Sequence, residues 1–141
     1  MGEKNKKISN GVEKKNKKIS NGVNYRQRVG KFGENIARNY LLRQGYKIIS
    51  LNQKISFKEI DIIARDGKML VFIEVKTRLS SVFGEAEEAF DFRKLSHLKN
   101  ALEFYIYKNN LDENLARLDF ISIDISRQKK RAKIKHYRDV I

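Results

Sequence analysis

Cysteine is absent from this chain of 141 residues, which excludes disulfides, zinc thiolates and thiol nucleophiles. Imidazole is scarce: His97 and His136 are the two histidines, too thin a supply for a histidine-built metal site. No apolar run approaches the roughly 20 residues that a membrane helix needs, so no membrane partner is expected. The opening stretch lacks the continuous apolar core of a secretory signal and the arginines of a transit peptide. A cytoplasmic location is the expectation that follows. Carboxylates, lysines, arginines and hydroxyls remain for chemistry.

Positive charge is what the chain has in excess. It carries 31 lysines and arginines against 17 acids, a net +14. Such a surface attracts polyanions, nucleic acid first and anionic membrane second. Residues 1–24 hold seven lysines and two glutamates, a net +5, which leaves +9 on the other 117 residues. The basic character therefore belongs to the body of the protein and not only to its tail. Charge alone does not say whether a bound polyanion is cut or merely held.

The length suits one domain with a core of its own. Residues 1–24 read as a flexible basic arm, in which KNKKISNGV runs from Lys4 to Val12 and again from Lys15 to Val23. Lysine-rich and poor in large apolar residues, the arm is expected to be disordered. Residues 25–141 form the domain. Asn24 and Gln27 resemble a capping box, and Val29, Phe32, Ile36, Ala37, Tyr40 and Leu41 recur at helical spacing. Gly45 stands where a C-cap glycine belongs, giving a helix over about 25–44. Strands follow at roughly 46–51, 57–65 and 68–77, the last two joined by a turn at Asp66-Gly67. Residues 80–90 stay ambiguous. A second helix starts near Asp91 with Leu95, Leu98, Leu102, Tyr105 and Ile106 on one face, and strands at about 117–125 and 131–138 close the chain. The order αβββαββ describes an α/β protein with a mixed sheet flanked by helices.

The stretch from Glu59 to Lys76, EIDIIARDGKMLVFIEVK, concentrates the chemistry. Alternation along a strand puts Ile60, Ile62 and Ala64 on one face and Glu59 and Asp61 on the other. On the next strand Val71, Ile73 and Val75 oppose Phe72, Glu74 and Lys76. A two-residue turn at Asp66-Gly67 sets Asp61 opposite Phe72 and diagonal to Glu74, about 7–8 Å away between backbones. Two acids converging on one point suit magnesium, which takes one or two carboxylates together with waters and substrate phosphate. Lys76 projects from the same face, where its charge can stabilise a developing phosphoryl anion. Glu34, at the flank of the first helix's apolar stripe, is a third candidate acid; the plainer reading is a glutamate favoured by the helix dipole. For Asp61, Glu74 and Lys76 the plainer reading is a set of solvated charges paired across a hairpin.

Gly33-Glu34, Ala37, Tyr40-Leu41, Gly45-Tyr46, Asn52, Glu59-Ile-Asp-Ile-Ile-Ala64, Leu70-Val-Phe-Ile-Glu-Val-Lys-Thr-Arg78, Lys94, Arg117 and Asp119 together resemble the YraN-like family of small bacterial proteins. The likeness spans about residues 28–139. It implies a restriction-endonuclease-like core, akin to Holliday junction resolvases, with a PD-(D/E)xK site. Asp61 and Glu74 then match the metal-binding acids, Lys76 the motif lysine and Glu34 the helix acid, with Mg²⁺ or Mn²⁺ as cofactor. Glu59-Ile60 precedes Asp61 where many nucleases place a proline, a departure that the family shares. Lys94 would line the cleft.

Thr77 and Arg78 are candidate phosphate contacts, arginine being suited to bidentate anion recognition. Asp119, among Leu118, Phe120 and Ile121, reads as buried and structural, and His97 and His136 read as ordinary. The aromatic run Phe104-Tyr105-Ile106-Tyr107 reads as helix core in preference to a base-stacking platform. Three functions fit: a Mg²⁺-dependent endonuclease on DNA, including branched or damaged DNA; a nucleic-acid-binding module with an unused site; and a partner-binding protein whose charge serves solubility. The resolvase likeness leaves a homodimer open, although no exposed apolar seam stands out.

Overall fold

The computed structural model describes residues 24–79 and 92–141. The arm and the ambiguous stretch at 80–90 lie outside the described residues. Residues 24–43 form α1, followed by β1 (Lys47–Ile55), β2 (Lys58–Asp66) and β3 (Met69–Leu79). Then come α2 (Phe92–Lys108), a 3-10 turn at Glu113–Leu115, β4 (Ala116–Ser126) and β5 (Arg131–Tyr137). Asn24 is already helical, so it is not the cap that its sequence context suggests. The far end of α1 closes as expected. Gly45 takes φ +90°, and the Tyr46 N–H reaches back to the Leu41 carbonyl at 2.9 Å, the long bond of a Schellman cap.

The strands form one sheet in spatial order β1-β2-β3-β4-β5. Neighbours are antiparallel except β3 and β4, which are parallel. A parallel pair needs a crossover, and α2 lies within the connection between them. Burial on both faces explains why the two central strands read as nearly continuous apolar runs: Leu70 to Val75 and Leu118 to Ile123 are apolar but for Glu74, Asp119 and Ser122. Ala37 and Leu41 of α1 pack with Ile62, Ala64, Val71, Ile73, Ile121 and Ile123 on one side of the sheet. Leu98, Leu102 and Ile106 of α2 pack with Ile60, Ile63, Phe72 and Leu118 on the other.

One expectation about packing changes. Phe32 is more than half exposed, because the line of α1 nearest the sheet runs through Gly33, Ala37 and Leu41. In the aromatic run of α2, Tyr105 meets Phe72 edge to face at 5.2 Å and Ile106 is buried. Phe104 and Tyr107, however, face outward.

Candidate active site

The hairpin turn falls one residue later than its sequence suggests. Asp66 pairs with Met69, so Gly67-Lys68 forms the turn and Gly67 supplies the positive φ of 59°. Lys68 is not among the positive-φ residues, so positive φ falls on the first central residue alone, as in a type II′ turn, and glycine takes that position more easily than aspartate. The register moves accordingly. Ile62 stands opposite Ile73, and one further step sets Asp61 against Glu74 and not against Phe72.

That step is where the ladder stops. Asp61 Oδ2 accepts from the Val75 N–H at 2.8 Å, so a side-chain carboxylate takes the bond that the β2 backbone leaves vacant. On the other side of β2, Asn52 adopts φ 51° and is skipped between the pairs Leu51–Ile62 and Gln53–Ile60. This irregularity breaks the alternation assumed for β2. Ile60 joins Ile63 on the α2 side, while Ile62 and Ala64 face α1. The outcome is an aspartate turned toward its neighbour's acid at the end of a buried hairpin.

Glu74 is buried at 7 % exposure, and Lys94 Nζ lies 2.7 Å from its Oε1. Burial pushes the Asp61 carboxyl up, to about 8, and the negative charges of Glu74 and Glu34 push the same way against the Val75 N–H. Asp61 and Glu74 also stand within hydrogen-bonding reach of each other. Two acids this close cannot both hold a full charge without a cation or a proton between them. Glu34 is raised as well, chiefly by burial, although a hydrogen bond from the Asn52 side chain favours its charged form. The irregular residue of β1 thus holds the helix acid in place.

Glu34 reaches this region because α1 approaches β3 very closely. A Cβ added at Gly33 would lie 1.7 Å from Thr77 Oγ1, so no larger residue fits without moving the helix. Thr77 accordingly packs beneath α1 as well as lining the cleft. Glu34, Asp61, Glu74, Lys76, Thr77 and Lys94 surround one cleft of about 540 Å³. Arg78 is half-buried on β3 and lies outside the cleft lining. Tyr25, Arg26, Val29 and Gly30 of α1 complete the wall; no motif in the sequence marks them. Arg26 adds a cation at the rim.

The donor set suits a hard divalent cation. One buried and one half-buried carboxyl share one locus, and the Lys94 ammonium already supplies positive charge at Glu74. Among the described residues, no group of three or more acids or histidines is arranged to hold a metal. Asp61, Glu74 and Glu34 nevertheless line the same cleft, with Glu34 tied to Asn52. Magnesium commonly takes one or two carboxylates and fills the rest of its shell with water and phosphate.

Away from the cleft, Asp119 is fully buried, as expected. It accepts from Arg117 Nε at 3.0 Å and from the Asp139 N–H at 3.0 Å, and its Oδ2 lies 2.7 Å from His136 Nε2. His136 is therefore not ordinary. Its Nδ1 meets the Tyr40 hydroxyl at 3.2 Å, and its side chain is almost entirely enclosed.

The fold is that of an α/β protein with a five-stranded mixed sheet, and its cleft brings together two acids and a lysine of one β-hairpin. Residues 33–123 match the Uncharacterised protein family UPF0102, and the chain belongs to that family. It is 40% identical over 114 residues to a UPF0102 protein of Caldicellulosiruptor bescii, covering 80% of this chain and 96% of the relative. Over 109 residues it is 40% identical to a UPF0102 protein of Dehalococcoides mccartyi, with 77% and 90% of the two chains covered. A UPF0102 protein of Clostridioides difficile is 40% identical over 94 residues, or 67% and 82%.

Proposed function

We propose that this protein is a Mg²⁺-dependent endonuclease that hydrolyses DNA phosphodiester bonds, with branched or damaged DNA as its substrate class. The observation that carries the reading is the pairing of half-buried Asp61 with buried Glu74, held by a backbone N–H on one side and a lysine on the other. A structural hairpin has no use for two adjacent acids drawn out of water, whose mutual repulsion weakens the fold. Perturbed acids in a cleft are the usual mark of a site kept for chemistry. The resemblance to restriction-endonuclease-like proteins and the +9 charge of residues 25–141 support the same reading.

Each residue then has a task. The Val75 N–H fixes Asp61 so that its second oxygen points into the cleft. Glu74 faces it, and the two carboxylates would hold the cation together. A bound Mg²⁺ would polarise the scissile phosphate and lower the pKa of an attacking water. Lys76, two residues beyond Glu74, orients that water or donates to a non-bridging phosphate oxygen as charge develops. Glu34, held by Asn52, lines the approach for water. Lys94 moves from Glu74 to a phosphate as the strand enters.

One observation favours a second reading. The 2.7 Å ion pair between Lys94 and Glu74 satisfies an acid that catalysis would need, which suits a module that binds nucleic acid without cutting it. Wild type and Glu74→Ala, incubated with linear, single-stranded, flap and four-way-junction DNA in Mg²⁺, Mn²⁺ or EDTA, separate the two. The endonuclease reading expects metal-dependent cleavage that Glu74→Ala abolishes. Equal binding by both proteins with no cleavage of any substrate overturns it for DNA.

A further inference from the structure

A second cleft, of about 300 Å³, lies between the tip of the β1–β2 hairpin and the outer face of α2. Ser56 turns the hairpin at φ 56° and leaves Phe57 fully exposed. Phe104, on the exposed face of α2, lines the same cleft, with Lys58, His97 and Asn100. Two exposed aromatic rings on separate elements, with an amide and a lysine around them, form an unusual surface. Isolated exposed apolar residues need no explanation, but an apolar pocket rimmed by polar groups does.

The cleft lies beside the candidate active site. Lys58 precedes Asp61 by three strand residues, about 10 Å along β2. Asn100 follows Lys94 by six helical residues, about 9 Å along α2. Both elements that frame this cleft therefore lead to the acid pair over the same short distance. Lys54 and Lys58 on the hairpin, with Arg93 and Lys99 on the helix, outnumber Glu59 and Glu103 on the same elements and leave a net positive charge suited to a phosphate backbone.

We infer that this cleft holds an unpaired nucleobase of the DNA strand entering the site. Phe57 and Phe104 supply faces for stacking, which every base accepts. The Asn100 amide offers both a donor and an acceptor to the base edge, and Lys58 meets the adjoining phosphate. A paired base inside a duplex cannot enter, so the cleft selects single-stranded, flap or junction DNA. This assignment rests on the nucleic-acid reading above and gives it a substrate preference.

The chain contains no tryptophan, so Phe57→Trp in the full-length protein creates a single indole reporter. In EDTA, short single-stranded DNA should quench its emission, while blunt duplex at saturation should not. Phe57→Ala and Phe104→Ala should each weaken single-strand binding roughly ten-fold, the scale of one lost stack. Duplex affinity and melting temperature should stay unchanged. Single-strand binding seen by anisotropy without indole quenching overturns the assignment, and so does an equal loss of affinity on duplex. The two readings fail separately. Quenching without cleavage in Mg²⁺ leaves the base cleft standing and removes hydrolysis. Cleavage of flaps that ignores both substitutions does the reverse. Absence of DNA binding by the wild type removes both.

Discussion

Asp61 holds its proton in the folded chain up to about pH 8, against an ordinary carboxyl value of 3.8. Between those values the native state binds more protons than the unfolded chain, so stability falls as pH rises from about 4 to about 8. Asp61→Asn keeps an acceptor for the Val75 N–H and removes the charge. Without metal it should match wild type near pH 4 and exceed it by about 1–3 kcal/mol at pH 9, read from denaturant melts at both pH values. Equal pH profiles for the two proteins would count against strained acids at this site. The same substitution should abolish any metal-dependent cleavage. The candidate acids and lysine were legible in sequence from their spacing on a strand–turn–strand hairpin, although the turn falls one residue later and β2 breaks its alternation between Ile60 and Ile62. Their contact was not. It depends on Asn52 at positive φ, on a ladder that stops at Ile62–Ile73, and on Lys94 arriving from another element.

Elements meet at points where one residue sets the distance. Gly33 lets α1 rest on Thr77, and that approach carries Glu34 to the cleft. Gly33→Ala should cost about 1–3 kcal/mol through overpacking against a β-branched side chain, with Gly30→Ala, which meets nothing within 4 Å, as the matched control. Equal melting temperatures for the two variants would contradict the close approach. The second junction is Asp119, which ties β4 to β5 through His136 and to the C-terminal segment through the Asp139 N–H. Those partners and Arg117 hold its carboxyl below the usual range despite burial. Its contribution is present above the unfolded value near 4 and is lost as pH falls through the lower folded value. Asp119→Ala should destabilise by about 3–5 kcal/mol at neutral pH, the scale of a broken buried pair, and should flatten the acid limb of the stability curve. Strands and helices emerged from periodicity to within a few residues. The His136 and Arg117 network did not, because its members lie up to 96 residues apart and no local pattern joins them.

At the scale of the whole molecule the question is which part of the charge binds. Residues 1–23 carry +5 of the net +14, yet 114 residues of this chain already account for 96% of the Caldicellulosiruptor relative. Among the described residues no helix is long and apolar enough to cross a membrane, and a surplus of cations attracts a polyanion. Each phosphate neutralised releases counterions and adds about 0.9 to the slope of log K against log salt on duplex DNA, or about 0.7 on single strands. If the domain makes the contacts, a chain lacking residues 1–23 should still bind single-stranded DNA with a steep salt slope. Its slope should fall by no more than the arm's own few contacts, and the tenfold penalty of Phe57→Ala should persist. Fluorescence anisotropy across a salt series measures all three quantities. A slope that collapses toward zero on deleting the arm would assign the binding to the tail and leave the cleft without a nucleic-acid partner.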